Sequence, residues 1–161
     1  SQADGLSPRI QNLRVHVVCG GGSGAGFMYD LQHAGFTVTA CALGSGDTDR
    51  LAADILGIDY VAVTAFGEID DNAHQKHLTL IKAADHVVLC PIDFGTNNLR
   101  NLEAIAEAKS FISIDSEGLT QRDFTDGLAE RLFEKLPHKA NFRTIREAFD
   151  HLNQPLQEPQ S

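Results

Sequence analysis

The chain has no tryptophan, one methionine and two tyrosines among its 161 residues. It also lacks an apolar run near the ~20 residues that a membrane-spanning helix needs, and no charged-then-apolar signal segment opens it. We therefore expect no direct insertion into a membrane. The hydrophobic share of 42% is enough for one packed core, and the length is typical of a single domain.

Positive charge is scarce as well: the chain has 13 lysines and arginines and 22 acidic residues, so its net charge is -9. A surface that follows a nucleic-acid backbone needs the opposite sign, so we expect no nucleic-acid partner. Cysteine is limited to Cys19, Cys41 and Cys90, without a CxxC motif. This pattern favours free thiols, a reducing compartment and a cytoplasmic location. Because the cysteines lie in or beside predicted strands, we expect them to be core residues rather than three ligands of one metal.

Short apolar runs alternate with helical patterns along most of the chain. Five strands are predicted at 13–19, 36–43, 58–63, 86–92 and 111–115. Helices are predicted between them, and two more near 125–136 and 142–153. The pattern indicates a single Rossmann-like, three-layer α/β domain over residues 13–153, with a mostly parallel five-stranded sheet and helices on both faces. We expect residues 1–12 to be a linker or tag remnant and 154–161 a flexible tail.

The most unusual segment is CGGGSGAGF, Cys19–Phe27, which has five glycines in nine positions. Gly20, Gly22 and Ala25 fit the G-x-G-x-x-A pattern between a strand and a helix, the context of the dinucleotide fingerprint. In that reading Gly20 permits the turn, Gly22 lets the backbone approach a pyrophosphate, and Ala25 allows close helix packing. The alternative is a glycine-rich turn without a ligand.

Free amides at the start of the helix would face the bound anion. Ser23 would add a hydroxyl donor or cap the helix. The predicted ligand-binding residues of this loop are Gly20, Gly21, Gly22, Ser23, Gly24 and Ala25. No lysine follows the glycines as a Walker A motif requires, so we expect no ATP hydrolysis by that route.

Two other polar loops follow predicted strands and should lie at the same edge of the sheet. Asp47 follows the second strand, where a Rossmann fold places the acid that binds a ribose, although it comes somewhat late after a Gly-Ser-Gly insert. Asp49 lies two residues further on. Asp47 is equally suited to cap the next helix, and Asp49 to favour its dipole. These carboxylates disfavour a bare phosphate unless a cation such as Mg²⁺ intervenes. The fourth strand is followed by Thr96, Asn97 and Asn98. They form either a turn with a helix cap or a set of ligand contacts.

His74 and His77 form an i, i+3 pair, a spacing that can hold a metal. Their segment is strongly polar, so we expect a solvent-exposed helix face and no metal site. No Ser-His-Asp or Cys-His spacing stands out. We therefore predict no catalytic residues and leave enzymatic activity open.

Three segments together resemble a known family. They are His16–Val61, which contains the glycine loop and GDTD; Ala83–Ile105, which contains FGTNN; and RDFTDG at 122–127. They resemble the Rossmann-like accessory domain appended to ABC transporter ATP-binding subunits of the iron-siderophore/cobalamin import class. The resemblance spans roughly residues 14–136. It implies a regulatory or ligand-sensing role beside the ATPase domain or transporter subunits, at the inner face of the membrane.

Together these observations predict an accessory domain that binds a nucleotide or another phosphate-containing ligand at the glycine loop and does not itself hydrolyse ATP. Two alternatives stay open. One is an NAD(P)-dependent oxidoreductase, which the glycine fingerprint supports. The other is a structural docking module without a ligand. The chain is also compatible with a homodimer.

Overall fold

The computed structural model describes residues 13–20, 22–43, 48–62, 70–91, 103–114, 134–136 and 139–154. Within them the strands are β1 Arg14–Gly20, β2 Thr37–Leu43, β3 Asp59–Ala62, β4 His86–Leu89, β5 Phe111–Ile114 and β6 Lys139–Phe142. The helices are α1 Ala25–His33, α2 Thr48–Leu56, α3 Asp71–Ala83 and α4 Ile145–Leu152. None of the helices described is long and apolar enough to cross a bilayer.

The six strands form one sheet in the order β3-β2-β1-β4-β5-β6, and every neighbouring pair is parallel. This confirms the predicted Rossmann-like α/β class, with six strands in place of five. The sixth is β6, which pairs with β5 through Phe111↔Lys139 to Ile114↔Phe142. The prediction missed β6 because four residues of mixed polarity at a sheet edge carry little strand signal.

The last helix was predicted over 142–153 but is shorter in the structure, because its first residues belong to β6 and the connection that follows it. Phe142 ends β6, and α4 begins at Ile145. Thr144 caps α4, because its side chain accepts a hydrogen bond from the amide of Glu147 at 3.1 Å. Only residues 134–136 of the helix predicted near 125–136 lie within the described part of the chain.

Two hydrophobic layers cover the sheet. One contains Val15, Val17, Phe27 and Met28 and packs α1, α2 and α4 against one face. The other contains Val18, Ile81 and Ile105 and packs α3 and the helical residues 103–105 against the opposite face. The central strands are therefore buried on both sides, which is why their sequences are nearly continuous apolar runs.

The strand order turns at β1, which lies between β2 and β4. The chain proceeds outward from β1 to β2 and β3, then crosses to β4 on the other side of β1. In open α/β sheets, ligands bind at the carboxyl ends of the strands beside such a switch point. The glycine loop leaves the carboxyl end of β1 and is therefore at this position.

Candidate functional site at the glycine loop

The glycine loop turns sharply between β1 and α1. Gly22 has φ of +87°, a left-handed conformation that favours glycine. The amide of Ser23 donates to the carbonyl of Gly20 at 3.1 Å, and the Ser23 hydroxyl donates to the same carbonyl at 2.8 Å. Ser23 thus closes the turn. Its side chain makes no cap contact with α1, whose N-cap is Gly24.

Gly24 brings the start of α1 directly onto β1. A Cβ at this position would lie 2.5 Å from Cβ and 2.6 Å from Sγ of Cys19, distances at which atoms overlap. The predicted close-packing residue was Ala25, but Ala25 is half-buried. The structure assigns the close approach of helix and strand to Gly24.

Asp49 lies in the first turn of α2 and is 1% exposed. Its carboxylate reaches back to the glycine loop: Oδ2 accepts from the amide of Gly22 and Oδ1 from the amide of Gly24, each at 3.0 Å. The prediction that Asp49 lies beside the loop at the start of a helix agrees with this position. In this conformation, however, two amides expected to face a ligand are bonded to the protein's own carboxylate.

The start of α1 has further donors. The amides in the first turn of a helix have no partner inside the helix, and in α1 these include the amides of Gly26 and Phe27. Gly26 is exposed, and a Cβ built on it meets no atom within 4 Å. The first turn of α1 contains no acidic side chain, whereas α2, α3 and α4 begin with Asp49, Asp71 and Glu147.

Five predicted ligand-binding residues lie outside the described part of the chain, and their roles stay predictions. They are Gly21, Asp47, Thr96, Asn97 and Asn98. Among the described residues, the fold brings together Gly20, Gly22, Ser23, Gly24 and Asp49.

The three cysteines are buried, unpaired thiols near the carboxyl ends of β1, β2 and β4, as predicted for core residues. Burial raises the pKa of Cys41 to about 12. Burial, followed by the neighbouring Cys90 and Asp49, raises the pKa of Cys19. Because the thiolate is the reactive and metal-binding form, these groups behave as small apolar side chains.

The predicted solvent-exposed face containing His74 and His77 is wrong for His77, which is fully buried on α3. It contacts His16 of β1, a residue that the sequence analysis did not single out. The sequence signal that could have identified His16 was its position inside an otherwise apolar strand. Within the described residues, no three histidine, cysteine or acidic side chains form a metal-binding group.

Fold and site together define a Rossmann-type α/β domain with a glycine loop at its switch point. The chain belongs to the MJ0874 family, whose model matches residues 38–149, from β2 into α4. The glycine loop precedes this matched region.

Two further comparisons concern individual proteins. One solved structure, "Crystal structure of gox2181", has 16% sequence identity and a TM-score of 0.42, covering 84% of this chain and 72% of that one. No curated protein matches the sequence. Nothing in these comparisons links the chain to ABC transporters.

Proposed function

We propose that this chain is a non-catalytic binding domain that holds a nucleotide or another phosphate-containing ligand at the start of α1. The observation that carries the proposal is the exposed first turn of this helix: Gly26 is exposed, and a Cβ built on it meets no atom within 4 Å. Helix amino termini attract anions through free amides and the positive end of the dipole.

The charge distribution supports this ligand class. The other three described helices carry an acidic residue in their first turn, and α1 carries none. An acidic side chain there would repel a phosphate. The position beyond the carboxyl end of β1, next to the switch to β4, is where α/β sheets of this order bind ligands.

Asp49 has a positioning role in this proposal. Its two hydrogen bonds to Gly22 and Gly24 hold the loop in the shape that presents α1. Because both its oxygens accept from the loop, we expect the phosphate to bind on the Gly26 side, away from this carboxylate. A ribose contact by Asp49 would require these bonds to rearrange.

The cellular setting forms the outer part of the proposal. We infer a cytoplasmic accessory domain that acts beside an ABC transporter ATPase, and this rests on the sequence resemblance over residues 14–136 alone. Co-purification of the chain with transporter ATPase subunits tests it separately from ligand binding.

The ligand proposal is tested by thermal unfolding with ATP, ADP, NAD and inorganic phosphate. We expect at least one to raise Tm, by an amount corresponding to about 2.7 kcal/mol at a hundredfold excess over Kd. Gly26→Glu places a carboxylate in the exposed first turn of α1. It should stabilise α1, because glycine costs roughly 0.5–1 kcal/mol in a helix and an acid in the first turn adds about 0.3–1 kcal/mol, yet it should abolish the ligand shift.

The matched control is Asn72→Glu, which adds the same charge to the exposed first turn of α3. It should leave the ligand shift intact. If no compound raises Tm, or if the Gly26→Glu variant responds as the wild type does, ligand binding at α1 is excluded.

A specific observation favours a second candidate, the structural docking module. The amides of Gly22 and Gly24 are already satisfied by Asp49, so the loop is stable without a ligand. In that case all four compounds leave Tm unchanged, and Gly26→Glu only raises it.

A further inference from the structure

A second group of polar side chains lies inside the protein, on the α3 side of the sheet and apart from the glycine loop. His16 of β1 and His77 of α3 are both fully buried. His74 lies one turn earlier on α3 and is partly exposed. Buried imidazoles in an otherwise apolar layer are costly unless their nitrogens are paired, so the partners of each nitrogen decide what this group does.

Three groups form a hydrogen-bonded chain. Nδ1 of His16 is 2.8 Å from the hydroxyl of Thr39, and Nε2 of His16 is 3.1 Å from Nδ1 of His77. The threonine hydroxyl can donate or accept, so the chain is satisfied in either direction. When His77 donates through Nδ1, its Nε2 is left with a free lone pair.

In the part of the chain that the structure describes, two buried ring nitrogens have no hydrogen-bond partner: Nε2 of His77 and Nδ1 of His74. Residues three apart lie on neighbouring positions of one helix face. Two unpaired imidazole nitrogens on one face are the ligand type that Zn²⁺, Cu²⁺ and Ni²⁺ prefer.

We propose that His74 and His77 bind a transition-metal cation of the zinc type, with His16 as the outer hydrogen-bond partner that orients the His77 ring. Metal-bound histidines commonly donate their second nitrogen to such a partner, which sets the tautomer and the ring orientation. His74 is partly exposed, although its Nδ1 is itself buried, so entry of the ion requires this side chain to move. No group of three ligands converges within the described residues, so the protein supplies two nitrogens and water or a bound anion completes the coordination.

The proposal is tested by titrating Zn²⁺ and Co²⁺ into the chelator-treated full chain. We expect one saturable site, a rise in Tm that depends on Zn²⁺ concentration, and a Co²⁺ spectrum of nitrogen and oxygen ligands without thiolate charge transfer. His74→Gln, at the partly exposed position, should fold and bind Zn²⁺ at least about tenfold more weakly, as even outer-partner losses weaken metal sites by 10–100-fold. His77→Gln should do the same if it folds.

The matched control is His33→Gln, an exposed histidine that bonds to Tyr29 on α1, and it should bind Zn²⁺ as the wild type does. The proposal is overturned if the wild type shows no saturable site, if His74→Gln keeps wild-type affinity, or if the Co²⁺ spectrum shows thiolate ligands. A crystal grown with Zn²⁺ that contains only a water between the two nitrogens overturns it as well.

Discussion

Removing the carboxylate of Asp49 should weaken the fold markedly, because this side chain ties the start of α2 to the glycine loop. Asp49→Ala deletes both hydrogen bonds, 3.0 Å each, from the amides of Gly22 and Gly24. The side chain is 1% exposed, and Gly24 is buried as well. Solvent therefore replaces the lost acceptor poorly.

The size of the effect follows from the two bonds. A hydrogen bond to a charged group contributes about 1.5–3 kcal/mol. The two hydrogen bonds together contribute about 3–6 kcal/mol. Removing the buried carboxylate also removes its desolvation cost, so we expect the free energy of unfolding to fall by about 3–5 kcal/mol. For a chain of this size each kcal/mol moves Tm by roughly 2–4 °C, so Tm should fall by roughly 6–20 °C. The stability of Asp49→Asn should lie between those of the wild type and Asp49→Ala. The asparagine side chain keeps one acceptor oxygen for one backbone amide, but its NH₂ group faces the other backbone amide with a second donor.

Urea unfolding followed by circular dichroism measures the change, with linear extrapolation to water. The control is Asp30→Ala, which removes an exposed carboxylate from α1 and should change stability by no more than ~0.5 kcal/mol. Amide hydrogen exchange adds a local readout, because Gly22 and Gly24 should lose protection in Asp49→Ala before the amides of β1 do. If Asp49→Ala is as stable as Asp30→Ala, the two bonds do not hold the loop and the positioning role is refuted.

Three further substitutions or treatments follow from the same contacts. Gly24→Ala should lower the free energy of unfolding by about 1–3 kcal/mol, because its Cβ would overlap with Cys19. Gly26→Ala should not destabilise the protein. Equal melting temperatures for the two variants would refute the close approach of α1 to β1. The three thiols should resist a disulfide reagent at pH 8 in the folded protein, since burial raises the pKa of Cys41 to about 12, and all should react in guanidinium; rapid native labelling would contradict this. Asp70→Ala should cost ~1 kcal/mol, because Asp70 caps α3 through a 2.7 Å bond from the amide of Ala73, and Asp70→Ser should retain most of that stability in the same melts.

The elements that could be predicted from sequence are those whose signal is local. The apolar runs of β1, β2 and β4 mark strands buried on both faces, and Gly35 and Gly57 mark the ends of α1 and α2, where both adopt positive φ. The position of the glycine loop between a strand and a helix was visible for the same reason. β6 was missed because its identity depends on pairing with β5, which precedes it by more than 20 residues.

The contacts that give the two candidate sites their chemistry depended on the tertiary structure. Sequence placed Asp49 at a helix start, but only the fold brings its carboxylate to the amide of Gly24, 25 residues earlier. Sequence placed His77 on a polar helix, but only the packing of α3 on β1 buries it against His16, 61 residues away. Periodicity reports which face of an element is apolar, whereas hydrogen bonds between distant residues depend on how the elements pack. The sequence thus determined the class of fold and the position of the loop, and the packing decided that Asp49 occupies the loop's amides and that the histidines lie inside.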